Sequence, residues 1–126
     1  MKQVFLTVAA ISGAFCVSAG AFGAHALRGT LSERSLQIFD VGVRYQMYHT
    51  LALLAIAILI STQATPSVSL ITSGWLFILG IILFSGSLYA LSLTNITILG
   101  IITPVGGVVF ILGWLILALS SWNFQG

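Results

Sequence analysis

The sequence concentrates nearly all of its charge in one short stretch, and this limits what the chain can fold into. Five of the six charged residues lie between Leu27 and Thr50, with His25 just before this stretch and His49 near its end. Long apolar runs make up most of the remaining chain. Apolar runs of roughly 20 residues are typical of helices that cross a lipid bilayer. We therefore predict an integral membrane protein.

Composition supports this prediction and excludes two other classes of protein. Hydrophobic residues make up 59% of the 126 residues and charged residues 5%, whereas charged residues are roughly 25% of ordinary soluble domains. A soluble domain of this size leaves much of its surface exposed and has no room to bury so many apolar side chains. The net charge of +2 is too small for a nucleic-acid-binding face.

Cys16 is the only cysteine, so we interpret it as a small buried hydrophobic residue.

Four apolar segments are long enough to cross a hydrocarbon core about 30 Å thick. They predict an all-α fold, a bundle of four membrane-spanning helices that forms one transmembrane domain over residues 1–126. Lys2 and the apolar residues after it also resemble a signal peptide, but apolar sequence continues past the supposed cleavage site near Ala21, so we predict a span. The predicted spans are about 4–26, 42–62, 68–93 and 98–122.

The polar segment 28–45 has the pattern of an amphipathic helix at the membrane interface, between the first two spans. Ser32 is a good N-cap for this helix. Asp40 and Arg44 are four residues apart in the favourable acid-first order, and we interpret the charged face as solvated, with one weak ion pair. The alternatives are attraction to anionic lipids and docking of a partner protein. The helical period places Glu33, Gln37, Asp40, Arg44 and Tyr48 on one stripe, and Ile38, Gly42, Tyr45 and His49 opposite.

Small residues along the predicted spans indicate close packing between helices, because lipid provides no hydrophobic drive for helix association. In the last span Pro104 lacks a backbone N–H, and we predict a kink there. The glycines expected at helix contacts are Gly13, Gly20, Gly23, Gly80, Gly106 and Gly107.

The distribution of basic residues predicts the orientation in the membrane. The polar segment carries three arginines, whereas the opposite side has only Lys2. The positive-inside rule therefore predicts that segment 28–45 is cytoplasmic and that both termini are external.

His25 ends the first predicted span and His49 begins the second, so antiparallel packing is expected to hold both imidazoles at similar depth. In the simplest interpretation each histidine hydrogen-bonds a neighbouring helix and stabilises the bundle. The alternatives are a shared site for a small molecule, a lipid headgroup or a proton, and a metal or haem site. Two histidines alone are too few ligands for a typical metal site, so we predict no metal and no cofactor. The candidate ligand or proton site comprises His25, Asp40, Arg44, Tyr45, Tyr48 and His49.

The sequence contains little that is suited to catalysis. Glu33 and Asp40 are the only carboxylic side chains, which leaves poor material for paired-carboxylate hydrolysis. The P-loop, GxSxG, HExxH, CxxC and dinucleotide-binding motifs do not occur. The last two spans carry no charged residue and no histidine, which argues against ion-coupled transport. We assign no catalytic residue.

Motifs along nearly the whole chain resemble one known family. They read GAFGAHAL from Gly20 to Leu27, SGSLY from Ser85 to Tyr89 and ITPVGG from Ile102 to Gly107, with Phe39, Tyr45 and His49 between the first two. Together they are similar to the YgdD/YwdK-like family of small four-span membrane proteins, a family of unknown function. The resemblance implies the inner or plasma membrane of a bacterium and a four-helix architecture. It brings no reaction, cofactor or substrate.

These observations predict a non-enzymatic structural or interaction module in the lipid bilayer, which self-associates through glycine-rich helix faces or binds a partner membrane protein. The alternative is a protein that binds or transports a small molecule, a lipid headgroup or a proton between the first two spans, near the cytoplasmic interface. A membrane enzyme that uses His25 or His49 as a base is a third hypothesis.

Overall fold

The computed structural model describes residues 1–124, which form four long helical segments joined by short connections. Each segment is long and apolar enough to cross a bilayer, and residues 1–124 contain no β-strand. The predicted all-α, four-span fold is confirmed; the last two residues of the predicted domain lie outside the described range. The elements are α1 (Lys2–His25), α2 (Glu33–Thr62), α3 (Val68–Gly80), a π-helical turn (Ile81–Ser85), α4 (Gly86–Thr94), a 3₁₀ turn (Thr97–Ile101) and α5 (Ile102–Ser121).

Local sequence signals set the ends of these helices. The Ser32 side chain accepts a hydrogen bond of 3.1 Å from the backbone N–H of Ser35 and caps α2, as predicted. Ser67 caps α3 in the same way. Asn95 adopts a left-handed conformation, with φ of 58°, and ends α4. Asparagine tolerates this conformation better than most residues, so the chain reverses in the short connection between the third and fourth predicted spans, 68–93 and 98–122.

The polar segment is helical from Glu33 onward, but it is continuous with the second span instead of forming a helix of its own. The predicted polar stripe, from Glu33 to Tyr48, is exposed. One buried stripe runs through both the polar and the apolar half of α2, and this shared stripe keeps the helix unbroken. Its members are Ser35, Phe39, Gly42, Gln46, His49, Leu53, Ile56 and Ile60.

Helix α2 lies at the centre of the bundle. It packs against α1 on one side and against α3, the π-helical turn and α4 on another, while α5 packs chiefly against α3 and the π-helical turn. The hydrophobic core cluster lies where these elements meet, and its large members are Phe5, Leu53, Ile56, Ile60, Leu70, Phe77 and Phe110.

The third span contains the π-helical turn, which is the main irregularity of the bundle. Around this turn Ser85 Oγ donates a hydrogen bond of 2.7 Å to the backbone carbonyl of Gly42 on α2. On the other side, Gly106 of α5 lies directly against the backbone of Phe84. The turn is therefore held between two helices, and a glycine on α5 makes the close approach possible.

The predicted packing glycines all face neighbours within the chain. A Cβ at Gly23 would lie 2.8 Å from the Phe39 ring, and Gly80 faces the ring of Phe110. A Cβ at Gly13 would lie 3.8 Å from the Thr50 side chain, and one at Gly20 would lie 3.7 Å from the Val43 side chain, so these two glycines are packed less closely against α2. Each of these glycines thus packs, at least in part, against another helix of the same chain, and that part is not available for self-association.

Pro104 lies at the start of α5, in the first turn after the 3₁₀ turn. A helix does not use the backbone N–H groups of its first turn, so proline is tolerated there. We predicted a kink at Pro104; what the structure shows in this region is a change from 3₁₀ to α geometry, which comes before the proline.

Candidate functional site

His49 is buried in an aromatic cage and uses both ring nitrogens. Trp114 donates its indole N–H to His49 Nε2 at 3.0 Å, and His49 Nδ1 lies 2.7 Å from the carbonyl oxygen of Tyr45. Because an indole only donates, Nε2 must accept, and the ring proton therefore lies on Nδ1. The imidazole also stacks on Phe110, with ring centroids 3.5 Å apart. This histidine is neutral, fully bonded and placed to stabilise the bundle.

His25 lies apart from His49, so the structure does not form the shared site that their sequence positions predict. His25 is the exposed last residue of α1, whereas Thr50, the neighbour of His49, packs beside Gly13. Gly13 and His25 are separated by about 18 Å of helix, at 1.5 Å per residue. The prediction of similar depth was wrong because α2 begins at Glu33, which carries His49 towards the middle of the span.

The other predicted site residues lie towards the outside of α2. Arg44 and Asp40 form an ion pair of 2.7 Å, with side chains 63% and 54% exposed; an exposed pair of this kind contributes little to stability. The rings of Tyr45 and Tyr48 contact each other at 5.7 Å between centroids, and both residues are exposed. The only hydrogen bond between these exposed residues and His49 is the one to the Tyr45 backbone carbonyl, so the predicted set does not converge on one site.

Metal binding has no support in the described part of the chain. Within residues 1–124, no three side chains of the types His, Cys, Asp and Glu are grouped closely enough to hold a metal ion. Cys16 is buried, as predicted, and its thiol points to the backbone carbonyl of Val43, with 3.9 Å between sulfur and oxygen.

A chain of uncharged polar side chains crosses the middle of the bundle and joins three helices. The Tyr89 hydroxyl donates to Gln46 Oε1 at 2.6 Å. Gln46 Nε2 donates to Ser12 Oγ at 2.9 Å, and Ser12 Oγ is 2.6 Å from Thr50 Oγ1. Buried polar groups in lipid need such partners because no water reaches them. We call Ser12, Gln46, Thr50 and Tyr89 the polar chain.

Three members of the polar chain form the floor of a groove between α1 and the third span. The groove has a volume of about 510 Å³ and opens sideways towards the lipid, and Ser12, Gln46 and Tyr89 are among its lining residues. Its walls are apolar, with Ile11 and Ile82 among them. A cavity of this size and composition, apolar with a few convergent polar groups, is typical of small-molecule sites.

The local structure of the third span keeps this groove open. The π-helical turn contributes Ile81 and Ile82 to the wall, and Gly86 follows it. A Cβ added at Gly86 would meet nothing within 4 Å. The groove therefore exists partly because a glycine stands where a side chain would fill it, next to a π-helical turn of the kind often found at functional sites.

Aromatic contacts between α1 and the third span lie near both ends of the groove. Towards the start of α1, Phe5 packs edge-on against Trp75 at 5.4 Å between ring centroids. Towards its end, Phe15 lies 5.7 Å from Tyr89. Phe15 and Tyr89 both line the groove, so this second pair forms part of its wall.

A second, smaller cavity lies between α1 and α2 at the arginine-bearing end. It measures about 220 Å³, and Gly20, Gly23, Arg28 and Asp40 are among its lining residues. This is the region where the sequence placed a site between the first two spans, but neither histidine lines it.

Sequence reasoning did not find the groove. The available signal was Gln46, an uncharged amide within a segment that is otherwise largely apolar, since polar side chains in membrane spans commonly mark contacts or functional sites. Ser12 and Tyr89 gave no comparable signal because their side chains are common in membrane helices and at interfaces.

The fold and groove together define a class: an all-helical, four-span membrane protein with an uncharged polar chain at mid-depth. Comparison with known sequences then identifies the family. The family described as "Protein of unknown function (DUF423)" matches residues 19–107, and the chain belongs to it.

Full-length relatives agree with this assignment. The UPF0382 membrane protein YwdK of Bacillus subtilis (strain 168) is 46% identical over 122 residues, which cover 97% of this chain and 98% of the relative. A UPF0382 membrane protein of Haemophilus influenzae is 46% identical over 123 residues, covering 98% and 97%. No solved structure matches the chain. The resemblance to this family is thus confirmed, and the chain is a membrane protein.

Proposed function

We propose that this protein is a non-enzymatic membrane protein that binds a lipid-soluble small molecule in the groove between α1 and the third span. The observation that carries this proposal is the combination of an apolar groove open to lipid with a hydrogen-bonded floor of Ser12, Gln46 and Tyr89. These polar groups also join three helices, but they lie where a molecule in the groove would meet them, and a few convergent polar groups in an apolar cavity are typical of ligand sites.

The chemistry of the floor supports binding without catalysis. An amide, a phenol and an aliphatic hydroxyl are uncharged donors and acceptors, which orient a ligand and do not serve as strong bases. His49, the strongest potential base inside the bundle, has both nitrogens occupied by Trp114 and Tyr45. This placement of the site replaces the alternative that we drew from the sequence, a site at His25 and His49.

A substitution that fills the groove tests this proposal. The Gly86→Phe variant adds a ring where the structure has open space, so we expect the fold to be kept and the ligand to be lost. Leu51→Phe is the matched control, because Leu51 is 55% exposed on α2 and does not line the groove.

The measurement is native mass spectrometry of protein purified in mild detergent, followed by extraction and identification of retained apolar molecules. We expect one apolar molecule per chain in wild type and in Leu51→Phe, and none in Gly86→Phe. Equal retention by all three proteins, or retention by none, would contradict the proposal.

A second candidate function is that of an interaction module that assembles with copies of itself. The observation that favours it is the outward face of α5, where exposed apolar residues alternate at spacings of four and three, as in a helix-pairing seam. Subunit counting in bilayers tests this, with Leu112→Ala/Leu115→Ala expected to shift dimers to monomers; a monomeric wild type would exclude it. The seam consists of Ile101, at the end of the 3₁₀ turn, and of Val105, Val108, Leu112, Leu115 and Leu119 on α5.

For the orientation, we propose a bacterial inner or plasma membrane with the polar segment 28–45 in the cytoplasm and both termini outside. The support is the arginine bias of that segment, three arginines against Lys2 on the opposite side.

A further inference from the structure

The floor of the groove has hydrogen-bonding capacity that the protein leaves unused. A glutamine side chain has two N–H donors and an oxygen with two lone pairs. Among residues 1–124, the Gln46 side chain makes two hydrogen bonds: it donates one N–H to Ser12 and accepts one bond from Tyr89. One N–H and one lone pair therefore remain, on a side chain that lines the groove and is only 6% exposed.

We infer that the groove takes a planar, uncharged carbonyl compound with an apolar tail, the chemistry of a quinone, and that its carbonyl oxygen accepts the second N–H of Gln46. This inference rests on the proposed function and names the class of ligand. In the bilayer no water satisfies this N–H, so a ligand acceptor gains the full benefit of the bond.

The depth of the site selects against ordinary phospholipid. Ser12 lies about 15 Å from one end of α1 and about 20 Å from the other, at 1.5 Å per residue. In a hydrocarbon core about 30 Å thick, this places the floor near the midplane, whereas the headgroups and ester carbonyls of phospholipids lie at its boundaries. A molecule that brings a carbonyl to this depth must be uncharged and apolar elsewhere.

The walls favour a flat ring attached to a flexible tail. Phe15 and Tyr89 form an aromatic pair at one end of the groove, tilted by 54°, and aromatic faces favour planar, ring-shaped partners. Ile82 lines the groove and is 61% exposed, so a tail leaves the groove beside it, among lipid chains and without further polar contacts.

The test compares two probes that differ only in their oxygens. One is a naphthoquinone with one methyl and one prenyl group, and the other is the same substituted naphthalene without carbonyl oxygens. Each is titrated into detergent-solubilised protein and counted as a bound adduct by native mass spectrometry. We expect the quinone to bind wild type about fivefold to tenfold more tightly than the hydrocarbon, the effect of one hydrogen bond.

The Gln46→Glu variant removes only the spare donor. A glutamic acid that stays protonated in the apolar interior keeps one donor for Ser12 and an acceptor for Tyr89. We therefore expect quinone and hydrocarbon to bind this variant with similar affinity. If the variant does not fold, the comparison of the two probes on wild type still decides whether the groove prefers a carbonyl compound.

The outcomes separate this inference from the proposed function. Equal affinity of wild type for the two probes, with both blocked by Gly86→Phe, would overturn the carbonyl assignment and leave a lipid-soluble ligand in the groove. Binding of either probe that Gly86→Phe does not reduce would overturn both, since the molecule would then lie elsewhere. Quinone preference that survives Gln46→Glu would overturn the role of the Gln46 donor.

Discussion

At the scale of single residues, the polar side chains inside the bundle are fixed by partners on other helices. Gln46 bonds to α1 and α4, Ser85 to α2, and His49 to α5. In the described residues, every buried side-chain nitrogen and oxygen has at least one hydrogen-bond partner. Interhelical bonds of this kind in membrane proteins average roughly 0.6 kcal/mol, with the largest near 2 kcal/mol. They stabilise the bundle, but above all they determine how each helix is rotated.

The pair formed by His49 and Trp114 gives a prediction at this scale. His49→Phe removes the acceptor of the Trp114 indole N–H. Trp114 is 46% exposed on the outside of α5, but lipid offers no replacement acceptor, so the unpaired N–H costs about 1–3 kcal/mol. Trp114→Phe in addition removes that orphaned donor, so the double variant is expected to lose less stability than the two single variants together.

Thermal unfolding in detergent, followed by circular dichroism, measures these losses. His25→Ala is the control and should leave the unfolding temperature unchanged, because His25 is exposed at the end of α1. Strictly additive losses in the double variant would show that the two side chains do not interact.

At the scale of elements, α5 packs directly on the backbone of the π-helical turn. Gly106 faces the backbone of Phe84, whereas a Cβ at Gly107 would lie 3.8 Å from the Phe84 ring. Backbone cannot move aside as a flexible side chain can. Two adjacent glycines of the same helix thus differ sharply in what a methyl group would meet.

Gly106→Ala should therefore separate α5 from the π-helical turn and destabilise the protein by about 1–3 kcal/mol or more, the usual cost of overpacking. Gly107→Ala is the matched control, and we expect it to be neutral or slightly stabilising because alanine favours helix. Thermal unfolding of both variants in the same detergent makes the comparison. Equal stability of the two variants would contradict the assigned contact.

At the scale of the whole molecule, an even number of spans fixes which connections share a side of the membrane. The connection between α2 and α3 lies on the side where α1 begins, and the polar half of α2 lies opposite, with the turn at Asn95. The orientation of the whole molecule is then known once the side of the membrane that carries the three arginines of segment 28–45 is known.

Cysteine labelling tests the proposed orientation. In a Cys16→Ala background, Gln37→Cys should resist a membrane-impermeant maleimide in intact cells, and Ala64→Cys should react, because both positions are exposed but lie on opposite sides. Permeabilised cells provide the control, since both variants should then react. The reverse pattern in intact cells would place the arginines outside.

The sequence by itself determined the membrane class, the number of spans, the polar stripe of α2 and the cap at Ser32. These features depend on local properties: the length of apolar runs, the helical period and the hydrogen bonds of a helix terminus. The end of one helix was also predictable at Asn95, because the left-handed turn there is a matter of one residue and its neighbours.

Only the tertiary structure decided where the polar side chains meet. It separates His25 from His49 and pairs His49 with Trp114 through a hydrogen bond. It also brings Ser12, Gln46 and Tyr89 from three helices to one groove. The physical reason is that depth and rotation of one helix against another depend on contacts between distant residues. Gly86 leaves an open groove beside it, whereas Gly106 allows α5 to contact the backbone of Phe84. The sequence does not distinguish these two glycines; only the packing around them does.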